Sequence, residues 1–169
     1  MVEHARAFGA LCLRLDPARA ETVRETLGAE LPAPNRWVEA RDAHILWQAF
    51  DEWLIVTPAG RERALVDALR AALEGTHHAL TDVSDLRVTL ALEGPHARDV
   101  LQKGCAVDLH PRVFTAGSCV TTALARVRVT IRQMNAVPRY EVLVERSYAS
   151  YLSAWLQDAA LEYAGVSGA

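Results

Sequence analysis

Three residues in one short segment carry the side chain types of a thiol enzyme. Cys105, Asp108 and His110 all lie within the sequence GCAVDLHPR. A histidine that contacts a cysteine can take its proton and leave a nucleophilic thiolate, while a carboxylate orients the histidine. A free cysteine directly after a helix-ending glycine is more often a small buried residue, and we favour that interpretation. We expect His110, which precedes Pro111, to fix the conformation of a loop.

Two adjacent histidines are the candidates for a metal site. His77 and His78 lie close in sequence to Asp82 and Asp85, and imidazole and carboxylate groups are common zinc ligands. Adjacent residues of a strand point to opposite faces of the sheet, so both histidines cannot easily bind one ion. No second pair of ligands follows at a fixed spacing. We therefore expect solvated turn residues at these positions.

Other motifs also argue against chemistry within this chain. The sequence contains neither G-x-G-x-x-G nor G-x-x-x-x-G-K-[ST], so we expect no dinucleotide or nucleotide site. Asp51 and Glu52 place two acids side by side, but acidic residues are ordinary solvated neighbours in a turn. We assign no catalytic, cofactor-binding or metal-binding residue.

The composition indicates a globular chain. Its 169 residues are 51% hydrophobic and 23% charged, and a chain of this length should bury roughly two-thirds of its unfolded surface. The apolar runs are far shorter than the roughly 18 residues of a membrane span, and a net charge of −3 provides no basic stripe for nucleic acid. The N-terminal segment MVEHARAFGALCLRLD lacks the pattern of a secretory signal. A cytoplasmic location is therefore expected by default. Because Cys12, Cys105 and Cys119 are few and far apart, we expect reduced, mostly packed thiols.

Hydrophobic periodicity and turn residues predict an α+β fold. In the first half, Asp16-Pro17 opens a helix that Gly28 ends. The predicted elements of this half are strands at 8–15, 44–47, 52–57 and 78–83 and helices at 16–28 and 61–73. Phe50-Asp51 is expected at the bend between the two central strands.

The second half repeats this order of elements. Its predicted strands lie at 86–92, 119–125, 127–133 and 140–145, and its helices at 95–103 and 147–163. Asp16-Pro17 and Gly94-Pro95 each open a helix after a strand. We therefore predict one domain, 1–169, built from two similar strand-helix-strand-strand-helix halves at about 8–84 and 86–163, with mainly antiparallel sheets.

The last helix has more apolar surface than one core contact needs. One predicted stripe, with apolar residues on the neighbouring faces, consists of Tyr148, Leu152, Trp155, Ala159 and Tyr163, flanked by Tyr151, Leu156 and Ala160. Tyrosine and tryptophan are favoured at interfaces, so part of this helix would contact another protein. A helix wrapped by its own sheet would show the same pattern. The sequence leaves both interpretations open.

The segment LEGPHARDVLQKGCAVDLHPRVF, with Asp82-Val83-Ser84 and Arg87 before it, resembles the gamma subunits of heterotetrameric sarcosine oxidases. The similarity continues through Gly117-Ser118-Cys119 to the terminal sequence RSYASYLSAWLQDAA and reaches back to Asp51-Glu52-Trp53-Leu54. It covers most of the chain after about residue 10. One departure is Gln48-Ala49-Phe50, which stands where the family usually has a Leu-Gly-Pro run.

This resemblance implies an aminomethyltransferase-like, folate-binding-type fold. It also implies a complex with alpha, beta and delta subunits that converts sarcosine to glycine and yields hydrogen peroxide and 5,10-methylenetetrahydrofolate. The FAD, FMN, NAD and tetrahydrofolate sites are then expected on the partner subunits, with no cofactor in this chain, which would be a non-catalytic subunit stabilising them. The alternatives are a small-ligand, folate-type binding module of one-carbon metabolism and a thiol enzyme that uses Cys105.

Overall fold

The computed structural model describes residues 2–4 and 8–164, and in these ranges the chain forms ten strands and four α-helices. The strands are β1 (Val2–His4), β2 (Phe8–Leu15), β3 (Trp37–Glu39), β4 (His44–Ala49), β5 (Glu52–Pro58), β6 (His78–Asp82), β7 (Arg87–Glu93), β8 (Cys119–Leu124), β9 (Val127–Asn135) and β10 (Arg139–Glu145). The helices are α1 (Arg24–Leu27), α2 (Glu62–Ala72), α3 (Ala97–Gln102) and α4 (Ala149–Ala164). The described residues divide into a first unit, residues 8–85, and a second unit, residues 2–4 and 86–164.

The first unit is an antiparallel sheet with strand order β3-β4-β5-β2-β6. Strands β2 and β5 consist mostly of apolar residues, as the sequence indicates. Helices α1 and α2 pack on one face of the sheet. The buried core of this unit consists of Leu11, Leu13, Leu15, Val23, Leu27, Ile45, Trp53, Ile55, Leu69 and Leu73.

The connection from β2 to β3 shows how local sequence sets the ends of helices. Asp16 accepts a hydrogen bond from Ala18 N (2.9 Å), which satisfies a donor at the helix start. Gly28 has φ +72° and ends α1 in the left-handed conformation. Between these residues the chain forms a 3-10 segment (Pro17–Val23) before the short α1, where one continuous helix was predicted.

The second unit is an antiparallel sheet with strand order β1-β7-β10-β9-β8. Helices α3 and α4 pack on one face. The buried core of this unit consists of Leu90, Leu92, Ala97, Val100, Leu101, Leu109, Phe114, Leu124, Ala125, Val127, Val129, Ile131, Tyr140, Val142, Val144, Leu152, Leu156 and Ala159. The predicted α+β class with antiparallel sheets is confirmed.

One predicted strand start is wrong, and one short strand was not predicted. Leu86 was expected to begin a half-buried strand, but it lies in a 3-10 turn (Ser84–Leu86) and is 59% exposed. The cause is local, because Asp82 accepts hydrogen bonds from the backbone and hydroxyl of Ser84 and draws the chain into a turn before β7 begins. The three-residue strand β3 was missed, since so short an edge strand has no readable alternation.

None of the helices in the described ranges is long and apolar enough to span a membrane.

Candidate functional site

Cys105, the candidate nucleophile, lies just after the end of α3. The backbone N–H of Cys105 donates to Leu101 O (3.0 Å), and Cys105 forms an isolated bridge with Leu124 of β8. The side chain is half-buried, and burial raises the pKa of the Cys105 thiol, against a smaller opposing effect of a backbone hydrogen bond from Val107. A raised pKa keeps the sulfur protonated at neutral pH, which makes it a poor nucleophile.

The contacts of Asp108 and His110 are local to their loop. Asp108 Oδ1 accepts a hydrogen bond from the backbone N–H of His110 (2.7 Å), and His110 Nδ1 accepts one from the backbone N–H of Arg112 (3.2 Å). In the part of the chain that the structure describes, no hydrogen bond joins Cys105 to either residue. This arrangement stabilises a turn and does not bring a nucleophile to a base.

Gly104, which directly precedes Cys105, lies where the packing leaves no room for a side chain. A Cβ atom at this position would lie 2.7 Å from the ring of Trp155 and 3.2 Å from Ala125 N. Both distances are shorter than ordinary van der Waals contact. The segment that ends α3 therefore lies directly against α4 and against the turn that follows β8.

The paired histidines lie beside a small surface cleft of the first unit. The cleft has a volume of about 290 Å³, and its polar lining includes Arg14, Asp51, His77 and His78. Arg14 and Asp51 form an ion pair (2.7 Å) whose side chains are 57% and 38% exposed, so it contributes little to stability. His78 Nδ1 donates to Thr76 O (2.8 Å).

Asp82, an acidic residue near these histidines, stabilises a turn of the backbone. Hydrogen bonds from the Ser84 hydroxyl and backbone N–H lower the pKa of Asp82. The Ser84 hydroxyl also accepts a hydrogen bond from Ala10 N (2.9 Å), which ties the turn to β2. Within residues 2–4 and 8–164, no group of three or more His, Cys, Asp or Glu side chains is arranged to hold a metal ion.

A cluster of charged and aromatic residues that the sequence analysis missed joins α3 to the end of α4. His96 stacks on Tyr163, with ring centroids 4.4 Å apart, and its Nδ1 donates to Asp99 (3.1 Å). Lys103 Nζ pairs with Glu162 (2.7 Å) and lies 4.9 Å from the Tyr163 ring centroid. We call these five residues the α3–α4 cluster. The spacing of His96, Asp99 and Lys103, at i, i+3 and i+7, places them on one helix face and is the part of the cluster that the sequence could have indicated.

Hydrogen bonding sets the protonation of this cluster. A hydrogen bond to Glu162, together with partial desolvation, raises the pKa of Tyr163 to about 12. The pKa of Glu162 is lowered, first by its hydrogen bond from Lys103 and then by that from Tyr163. At neutral pH the ionised Glu162 therefore interacts with both Lys103 and the protonated Tyr163. These interactions link α3 to the end of α4.

The sheet of the second unit carries a buried ion pair. Arg132 of β9 and Glu141 of β10 are cross-strand partners, and Arg132 Nε donates to Glu141 Oε2 (2.9 Å). Their side chains are only 4% and 14% exposed. The sequence does not reveal this pair, because it depends on the register of two strands.

The burial of α4 bears on whether this helix packs on its own sheet or contacts another protein. Leu152, Leu156 and Ala159 are buried against the sheet, whereas Tyr148 and Tyr151 are 48% and 50% exposed. The predicted single stripe is wrong for Tyr148, which lies in a 3-10 turn (Arg146–Tyr148) before the helix. The helix therefore has one buried face, and Tyr151 lies half exposed away from it.

A family model, described as the sarcosine oxidase, gamma subunit family, matches residues 13–162. The chain belongs to this family. The gamma subunit of sarcosine oxidase from Corynebacterium sp. (strain P-1) is 38% identical over 120 residues, which are 71% of this chain and 58% of that protein. The gamma subunit from Arthrobacter sp. is 34% identical over 163 residues, 96% of this chain and 74% of that protein. The match thus spans less than two thirds of the length of the Corynebacterium relative.

Solved structures place the family in its fold. A heterotetrameric sarcosine oxidase from Corynebacterium sp. U-96, in complex with pyrrole 2-carboxylate, contains a chain similar to this one at a TM-score of 0.89 and 30% identity, covering 100% of this chain and 87% of that one. The aminomethyltransferase T of the Bartonella henselae glycine cleavage system matches at a TM-score of 0.70 and 16% identity, covering 92% of this chain and 44% of that one. At that identity the second likeness shows the fold alone. The predicted aminomethyltransferase-like fold is confirmed.

Proposed function

We propose that this chain is the gamma subunit of a heterotetrameric sarcosine oxidase and that its role in the complex is structural. The observation that carries the proposal is the similarity to a chain of the Corynebacterium sp. U-96 oxidase, at a TM-score of 0.89 over the whole of this chain. The complex would oxidise sarcosine to glycine, reduce oxygen to hydrogen peroxide and transfer the one-carbon unit to tetrahydrofolate.

The partners in this proposal are alpha, beta and delta subunits in the cytoplasm. The FAD, FMN, NAD and tetrahydrofolate sites belong to the partner subunits, and this chain stabilises the flavin-bearing ones by packing against them. Substrate selectivity for sarcosine then resides in another subunit.

The local chemistry supports a structural role. The Cys105 thiol is held in its protonated form by burial, and His110 Nδ1 accepts a hydrogen bond from the backbone of its own loop. The imidazole of His78 is bonded to a backbone carbonyl at 2.8 Å. The imidazoles of His78 and His110 thus bond to the backbone of nearby residues, and the Cys105 thiol stays protonated.

Co-expression of this chain, carrying an affinity tag, with the alpha, beta and delta subunits tests the proposal. We expect a yellow eluate that contains the larger subunits and produces hydrogen peroxide when sarcosine is added. The Cys105→Ala variant should give the same specific activity, because the thiol takes no part in the reaction. Purification of a colourless, lone chain from cells that contain the other subunits would contradict the proposal.

The folate-type binding module is separated from this role by calorimetry. Titration of the isolated chain with tetrahydrofolate should release no heat of binding if the chain is structural. Saturable binding by the lone chain would favour the module instead.

A further inference from the structure

The cleft of the first unit lies where three parts of its sheet end. Besides the four polar residues named above, its lining includes Leu15, Asp16 and Ala79. The backbone N–H of Leu15 donates to Asp51 O (3.0 Å), and Leu15 is the cross-strand partner of His78. The end of β2, the turn between β4 and β5 and the start of β6 are therefore held together by the backbone, which places the cleft on rigid elements.

Arg14 brings hydrogen-bond donors to the cleft that the fold does not use. Its Nη2 donates to Asp51 Oδ2 (2.7 Å). Among the described residues, the other N–H groups of Arg14 have no hydrogen-bond partner. A guanidinium group has five N–H donors in a fixed plane and can bind a carboxylate through two of them. The Arg14 side chain is 57% exposed, so its free donors are open to a ligand.

The same cleft contains acceptors that are only partly used. Asp51 uses one carboxylate oxygen in its ion pair, and Asp16 uses one to accept from Ala18 N (2.9 Å). The second oxygen of each carboxylate has no hydrogen bond within the part of the chain that the structure describes. His78 Nδ1 must donate to Thr76 O, because a carbonyl oxygen can only accept. In the neutral imidazole Nε2 is then a further acceptor.

The charges of the lining decide which class of ligand fits. The permanently charged groups are one guanidinium, on Arg14, and two carboxylates, on Asp16 and Asp51. A simple anion at Arg14 would be repelled by the carboxylates, and a simple cation at the carboxylates would be repelled by Arg14. A molecule with both a carboxylate and an ammonium group meets an opposite charge at each end. The cleft volume of about 290 Å³ is at the lower limit for ligand pockets, so the ligand is small.

We propose that this cleft binds a small amino acid in its zwitterionic form. The carboxylate of the ligand pairs with the free N–H groups of Arg14, and its ammonium group pairs with the free oxygens of Asp51 and Asp16. The Arg14–Asp51 pair contributes little to stability at its exposed position, but it fixes two opposite charges side by side for such a ligand. Because both ligand charges stay in contact with water, the dissociation constant should be about 1–10 mM. This binding goes beyond the structural role and does not depend on assembly.

Three small probes separate the possible ligand classes. The full chain, labelled with ¹⁵N, is titrated with glycine, acetate or methylammonium at neutral pH and constant ionic strength, and its NMR signals are recorded. Glycine should cause saturable shifts of the Arg14 Nε–H and of the backbone amides of Leu15 and Ala79. Acetate and methylammonium should each bind at least about tenfold more weakly, because each leaves one charge of the lining repelling it.

The titrations also contain the results that would overturn the proposal. Acetate that binds as tightly as glycine would show a site for carboxylates alone. Methylammonium that binds as tightly would show a cation site. Absence of saturable shifts at glycine concentrations about tenfold above the expected dissociation constant would show that the cleft binds no amino acid.

Two variants assign the two ends of the ligand. Arg14→Gln and Asp51→Asn should each weaken glycine binding at least about tenfold and change the melting temperature by less than about 2 °C, because the pair is exposed. Arg14→Gln should also bind methylammonium more tightly than the wild type, and Asp51→Asn should bind acetate more tightly, since each has lost the repelling charge. Loss of structure cannot produce these reciprocal gains.

Arg24 provides the matched control. It is a similarly exposed arginine of the same unit, at 53%, and it also pairs with an acid, Glu21 (3.0 Å), but it does not line the cleft. Arg24→Gln should bind glycine as the wild type does. Equal binding of glycine by Arg14→Gln and Arg24→Gln would reject Arg14 as the carboxylate partner and with it the proposed site.

Discussion

At the scale of single residues, Gly104 is a position of the second unit at which the packing excludes even a methyl side chain. A Cβ atom there would lie 2.7 Å from the rigid end of the Trp155 ring. We expect Gly104→Ala to lower the free energy of unfolding by about 1–3 kcal/mol, because overpacking displaces a helix or strains the loop. Urea denaturation of the full chain, followed by circular dichroism, measures this change.

A double-mutant cycle provides the control for this prediction. Trp155→Leu removes the ring that the new methyl group would meet, so Gly104→Ala should cost distinctly less in that background. An equal cost in both backgrounds would show that Trp155 is not the obstacle. The cost that remains in the Trp155→Leu background reports the second, longer contact of the new methyl group, with Ala125 N at 3.2 Å.

At the scale of elements, the α3–α4 cluster makes the docking of the last helical turn depend on pH. The pKa of Tyr163 is raised from 10.0 to about 12, so its contribution is complete below pH 10 and is lost as pH rises from 10 to 12. The pKa of Glu162 is lowered from 4.5, so its contribution is present above pH 4.5 and is lost as pH falls through the lowered pKa. The protection factors of the amides in the last turns of α4, which compare the exchange rate with that of the unfolded chain at the same pH, should therefore be largest between these two limits.

Substitutions in the cluster check the assignment of each limit. Glu162→Gln should remove both the acid and the alkaline dependence, because this carboxylate is the partner of Lys103 and of Tyr163. Tyr163→Phe should remove the alkaline limit alone. Retention of the alkaline limit in Tyr163→Phe would assign it to another group.

The ion pair of β9 and β10 gives a second prediction at this scale. Loss of one partner strands a buried charge, so Glu141→Gln should cost about 3–5 kcal/mol, measured by chemical denaturation. Replacement of both residues, Arg132→Met with Glu141→Leu, should cost much less than Glu141→Gln alone, since it leaves no buried charge. A double variant that is as unstable as the single one would mean that the pair is needed for more than its own neutralisation.

These elements also show which features a sequence can predict. Strand β2 and helix α2 were located within one or two residues, because alternation and helical spacing extend over their whole lengths. The α3–α4 cluster and the Arg132–Glu141 pair were missed, because each depends on which helices or strands become neighbours. The turn at Ala125 and Arg126, which both have positive φ, was also missed, because it lacks the glycine or asparagine by which such hairpin turns are recognised.

At the scale of the whole molecule, the two sheets repeat one topology. Strands β3, β4, β5 and β2 of the first unit correspond in order to β8, β9, β10 and β7 of the second. In the first unit β6 follows α2 and pairs with β2, whereas in the second unit the equivalent place beside β7 is taken by β1. This correspondence supports the internal duplication, which stays a prediction, and it implies that the first strand of the sequence completes the sheet of the second half.

Deletion of residues 1–7 tests that implication. Strand β1 pairs with β7 through Leu92, Ala91 and Leu90, so its removal exposes one edge of β7 to solvent and frees backbone groups that it had bonded. Hydrogen exchange measured by mass spectrometry should accelerate across β7, while β2 and β5, which follow directly in sequence but belong to the other sheet, keep their protection. Strand β2 begins directly after the deletion, whereas β7 begins about 80 residues further along the chain. Faster exchange confined to β7 therefore cannot be an effect of sequence proximity and would support the pairing of β1 with β7. Faster exchange confined to β2 would contradict the topology.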